Sequence, residues 1–282
     1  MSLPSGAITC ISIAMIAGIV IPFGLVFLIR KKAGSAWLAF VWGALVMLVF
    51  AMSLESVLHM SVYNSPAGEV IWGNTFLYAL YGGLMAGLFE ETGRFLAFKI
   101  PMKNMMDNDG NALGYAAGHG GFEAFSLLFF TMMNNLTYAL VMQHPEKMAS
   151  VYEHATAEQT KQIRQVYELL ATTPASTYLV SVAERCGAIL LQFGLTIFVW
   201  FAVKKGGKKI WFFPLAILLH AFVDGSMVLI NKLTGSVAVT EIYIWIMAIL
   251  VDLLGIYVWK KEQGKIQIDS APVKKTDEKT IL

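Results

Sequence analysis

Residues 7–29 read AITCISIAMIAGIVIPFGLVFLI, with no Asp, Glu, Lys or Arg among them. A helix rises about 1.5 Å per residue, so about 20 apolar residues cross a hydrocarbon core of about 30 Å. In lipid every backbone polar group must be paired within the protein, and a helix does this alone. The rest of the chain has the same character. Its 282 residues are 57% hydrophobic and 14% charged, where a soluble domain carries about 25% charge. This composition excludes an ordinary soluble enzyme and makes the lipid bilayer the expected solvent. Nucleic acid is not an expected partner. Residues 1–9 lack Lys and Arg, so they lack the basic start of a cleaved signal peptide. The first apolar stretch is expected as a retained span.

Hydropathy predicts seven spans, at 7–29, 36–58, 70–98, 113–141, 177–203, 210–230 and 241–259. The third and fourth are long enough to tilt or protrude. The expected fold is therefore all-α, a polytopic bundle forming one transmembrane domain over 1–265. An outer polar loop at 144–175 should contain a short helix over 157–170, and a disordered cytoplasmic tail should follow at 266–282. Fifteen of the 21 Lys and Arg residues fall after odd-numbered spans or in the tail, and four (Lys147, Lys161, Arg164 and Lys232) fall on the other side. The positive-inside rule places the fifteen in the cytoplasm. The N-terminus is then outside and the C-terminus inside, which an odd number of spans requires. Cys10 and Cys186 fall near the outer ends of spans, where they are either a disulfide or two small apolar residues. No CxxC pattern exists, so a thiolate metal site is not expected.

Ionisable side chains inside spans cost about 2.5–3.5 kcal/mol each at a helix centre, and they usually mark function. Span three carries Phe89-Glu90-Glu91-Thr92-Gly93-Arg94, span four Gly118-His119-Gly120-Gly121-Phe122-Glu123, and span six His220-Ala221-Phe222-Val223-Asp224. Each His has an acid four residues on, on the same helix face. Counted from the inner end of its span, each of Glu90, His119 and His220 lies about 12–15 Å deep by helix rise. Three helices therefore bring ionisable groups to one level. With both His neutral, Glu90, Glu91, Glu123, Asp224 and Arg94 sum to minus three. A cluster like that must take up protons, bind a cation, or both. Gln192 sits at the same level. The glycines about His119 either allow close helix packing or admit an extended peptide. Arg94 is expected to partner a carboxylate. Glu184-Arg185 is expected as a structural ion pair remote in depth from the cluster, and His59 as an uninformative boundary residue.

EExxR at Glu90–Arg94, HGGxE at His119–Glu123 and HxxxD at His220–Asp224 resemble the motifs of the YhfC family of intramembrane peptidases. The Glu184-Arg185 pair and the run from Trp211 to His220 also look like that family. More distantly, the motifs are similar to those of the CAAX prenyl endopeptidase and bacteriocin-processing family and of the PrsW proteases. The resemblance implies that Glu90 is the water-activating base. It assigns His119 and His220 to water or metal, and Asp224 completes the site.

Peptide hydrolysis needs an activated water, a base and oxyanion stabilisation. Glu90, Glu91, Arg94, His119 and His220 are the candidate catalytic residues. His119 and His220 suit Zn2+, with Glu123 or Asp224 as the third ligand and an open fourth position for water. In a metal-free alternative Glu90 and His119 activate water, while His220 and Asp224 hold the oxyanion. The expected substrate is a membrane-associated peptide or protein, and the expected location is a bacterial plasma membrane. Water would have to reach the layer by a polar path from the cytoplasmic side. The rival reading is a proton- or ion-coupled transporter built on the same buried layer.

Overall fold

The computed structural model describes residues 2–263, all of whose regular structure is helical. The tail expected at 266–282 lies outside the described residues, as do Lys265, Lys274, Lys275 and Lys279. Ten helices follow in order: α1 (Ala7–Ala33), α2 (Trp37–Tyr63), α3 (Pro66–Gly73), α4 (Thr75–Lys99), α5 (Gly110–Met142), α6 (Pro145–Glu153), α7 (Ala157–Thr172), α8 (Ala175–Lys205), α9 (Phe212–Thr234) and α10 (Val237–Gln263). Among the described residues six of them, α1, α2, α5, α8, α9 and α10, are long and apolar enough to cross a membrane. The chain is a multi-pass helical bundle.

The expected span 70–98 is not one helix. It breaks at Asn74, which is extended (φ −127°, ψ 113°) and accepts hydrogen bonds from the amides of Phe76 and Leu77. An Asn at this position satisfies amides that the first turn leaves unpaired. The α4 that follows has 25 residues, about 37 Å by helix rise. Glu90, Glu91 and Arg94 in its second half make it less apolar than the six. We propose that α4 is the seventh crossing, since it carries the chain back from the loop end of the bundle to the end where α5 begins. The polar loop holds two helices rather than one. Its α7 starts with a capping box between Thr156 and Gln159, the reciprocal pairing that fixes a helix start. Tyr167 and Leu170 of α7 pack with Ala7, Ile11, Met142 and Tyr178, which seats the loop on the ends of α1, α5 and α8.

Burial identifies the central helix. Of the most apolar window of α8, 72% is buried, against 22–28% in the other five. Lipid removes the hydrophobic drive for helices to associate, so close packing and polar contacts must hold the bundle. Gly87 shows the close packing: a methyl group there would stand 2.6 Å from the Ile217 carbonyl oxygen of α9. Gly43 of α2 and Gly118 of α5 abut each other's helix backbones in the same way. The glycines about His119 are thus taken up by packing: Gly118 against α2, Gly120 against Gln192 and Ile189 of α8, and Gly121 against Pro22 of α1. Cys10 and Cys186 are free thiols.

The orientation drawn from the Lys and Arg count leads to a direct expectation. Reporter fusions after Lys209 and Lys261 should both read as cytoplasmic. An external signal from either would remove the seven-crossing arrangement.

Candidate functional site in the buried polar layer

Two adjacent acids on α4 point about 100° apart around the helix, and so they reach different neighbours. Glu90 Oε2 lies 2.9 Å from His119 Nε2 of α5, 2.8 Å from Gln192 Nε2 of α8 and 3.9 Å from His220 Nε2 of α9. Glu91 Oε1 lies 2.8 Å from His220 Nδ1, and its Oε2 accepts a 2.5 Å bond from Arg94. Four helices therefore meet on two carboxylates. Arg94 is fully buried and also donates to the Gln192 side-chain oxygen. Gln192 thereby ties Arg94 to Glu90. Glu91 and Arg94 form a buried pair with matched geometry. Removing one partner of such a pair leaves an uncompensated charge and costs about 3–5 kcal/mol. Arg94→Met should therefore lower thermal stability or accumulation sharply, whereas the double change Glu91→Gln with Arg94→Met should restore much of it.

The imidazoles are oriented from behind. His220 Nδ1 is held by Glu91, so a proton assigned there leaves the Nε2 lone pair facing Glu90 and Asp224 Oδ2, the latter 3.5 Å away. His119 stacks on Tyr115, whose hydroxyl is 3.5 Å from His119 Nδ1. Such outer partners fix the tautomer and aim of a ligating ring. Glu123, by contrast, accepts a 2.8 Å bond from Arg185 Nη1 and lies 3.5 Å from Gln192. Arg185 also donates at 2.5 Å to Glu184. The ion pair expected at Glu184-Arg185 exists, but it is not remote, because the long Arg side chain reaches the layer through Glu123.

Glu55 of α2 was absent from the expected set. It is 8% exposed, at the end of a π-helical stretch, and within electrostatic reach of Glu90, His220 and Asp224. π-turns recur at functional sites. The sequence signal was an acid within a span, four residues before a His. His59 in fact bonds Glu55 at 3.1 Å and the Tyr81 hydroxyl at 2.9 Å. Six carboxylates (Glu55, Glu90, Glu91, Glu123, Glu184 and Asp224) thus gather with two guanidinium groups, Arg94 and Arg185.

The donor chemistry fits a divalent cation: two imidazole Nε2 atoms converge on Glu90, with Asp224 beside one of them and excess negative charge around them. No three His, Cys, Asp or Glu side chains among the described residues already stand in an arrangement that could hold a metal ion. An ion would have to draw these groups together, and His119 would have to carry its proton on Nδ1 toward Tyr115.

The family model for the YhfC intramembrane metalloprotease matches residues 17–244, a span that includes all three motifs. The chain belongs to this family. The uncharacterized membrane protein YhfC of Bacillus subtilis (strain 168) is 29% identical over 249 residues, covering 86% of this chain and 93% of its own. No solved structure matches. Membership in a metalloprotease family gives the chain a chemical class, peptide hydrolysis.

Proposed function

We propose that this YhfC-family chain is an intramembrane endopeptidase in which Glu90 is the base that activates water. The observation that carries this is the position of Glu90 Oε2, facing the Nε2 atoms of both His119 and His220 from a side chain 9% exposed. A base must lie within hydrogen-bond reach of the water it deprotonates and of groups that polarise the target. In hydrolysis the water oxygen bonds to the peptide carbonyl carbon while Glu90 takes the water proton. The C–N bond then breaks, and Glu90 returns the proton to the leaving amine. In the metal-free alternative His220, protonated at Nε2 as well as at the Nδ1 held by Glu91, would donate to the developing oxyanion. Bound by His119, His220 and Asp224, a divalent cation would acidify the water and polarise the carbonyl. Gln192 and Arg94 hold Glu90 and Glu91 in register.

The test is cleavage by purified protein in proteoliposomes, with membrane-anchored peptides as substrates and products read by mass spectrometry. New internal cuts support the proposal. Proton or ion movement across the sealed vesicles without any cut peptide would favour the transporter reading instead.

A further inference from the structure

The polar layer is closed toward the basic end of the bundle. Phe98, Tyr115 and Trp200 are fully buried there, with the Phe98 ring 4.7 Å from that of Tyr115 and 5.0 Å from that of Trp200. Behind them, Trp200 and Lys204 both donate to Asp109 at 2.7 Å. This seal covers the shorter distance to the cytoplasmic face, from which a polar path was expected.

Toward the loop end the layer opens. Side-chain exposure rises from 0% at Glu91 and 3% at His220 to 9% at Glu90 and 34% at Asp224. Beyond Asp224, a cavity of about 520 Å³ lies among α3, α4, α8, α9 and α10. Met227, Val228 and Asn231 of α9 line it. They follow Asp224 at intervals of three, four and seven residues, so one face of α9 runs from His220 and Asp224 into the cavity. Glu184 lines it too, and through Arg185 it connects to Glu123 and Gln192. Two wall atoms, Trp72 Nε1 and Glu241 Oε2, are buried with no hydrogen-bond partner among the described residues.

We propose that this cavity is the entrance to the site, admitting water and an extended peptide strand to Glu90 from the end of the bundle that carries the 144–175 loop. The occupant's identity rests on the peptidase reading, and the direction of access does not. The substrate class follows: membrane-anchored chains that present the scissile bond from the side opposite the basic loops.

The experiment uses the full chain in sealed proteoliposomes, with Cys10→Ser and Cys186→Ala removing the native thiols. Asp224→Cys is exposed to a membrane-impermeant cationic methanethiosulfonate from either face, and Lys161→Cys and Lys208→Cys report which face is which. Asp224→Cys should react at least tenfold faster from the loop face. Filling the cavity with Thr240→Trp, or separately with Asn231→Trp, should slow that reaction at least tenfold, with gel filtration confirming a folded protein in each case. Faster reaction from the basic face, reaction from neither face, or no slowing by either Trp would overturn the proposal. Labelling needs no turnover, so the expected labelling with no peptide cleaved by the wild type would retain the entrance and discard the peptidase. With cleavage in hand, Thr240→Trp should raise KM at least fivefold.

Discussion

Glu90→Gln should leave a folded, membrane-inserted protein whose peptide cleavage falls by about 10²–10⁴-fold, the usual contribution of a positioned base. The change keeps side-chain size and removes one buried negative charge from a layer that has an excess of them, so stability should not drop. The Gln oxygen can still accept from Gln192 or His119, but an amide cannot take a proton from water near neutral pH. Cleavage at the wild-type rate would assign the base elsewhere. Glu91 would be next, although its two oxygens are already committed to His220 and Arg94. The readout is product formation in proteoliposomes at matched protein content.

His119→Ala and His220→Ala should each lose bound metal, and chelation of the wild type should reproduce both. Loss of an outer partner already weakens metal binding by about 10–100-fold, and loss of a ligand should cost more. Without the cation the surrounding carboxylates lose their counter-charge, so thermal stability should fall along with metal content. His220→Ala should be the more damaging of the two, because it also strips Glu91 of one of its two partners. The checks are metal analysis of purified protein and thermal unfolding with and without chelator. Protein free of stoichiometric metal, and indifferent to chelators in both stability and activity, would refute the metal. It would leave Glu90 and His119 acting on water directly.

Particular residues show what the sequence could and could not reveal. Glu90, His119 and His220 were legible as one level because helix rise converts position along a span into depth, and all three helices are regular up to that point. Arg94 beside a carboxylate and Gln192 at the same level followed from the same reasoning. The reasoning failed where reach or context mattered. Arg185 was placed by its Cα depth alone, yet its side chain carries charge along the helix to Glu123. Glu55 was overlooked inside a strongly apolar span, and the π-helical stretch that ends at it has no signature in apolar periodicity. The break at Asn74 was hidden because apolar residues continue on both sides, although Gly73 followed by Asn is a sound helix stop and start. The cavity lined by Met227, Val228 and Asn231 could not be read at all, since five helices and side chains far apart in sequence build it. The entrance proposed there lies opposite the side from which water was expected.

The most direct measurement of the central claim is hydrolysis in water enriched in oxygen-18, with the new C-terminus analysed by mass spectrometry for wild type and Glu90→Gln. The wild type should place one heavy oxygen in the carboxylate of each newly cut peptide, and the variant should yield about 10²–10⁴-fold less of that product. Equal heavy-oxygen product from both proteins would contradict the role of Glu90 in the layer it shares with His119 and His220.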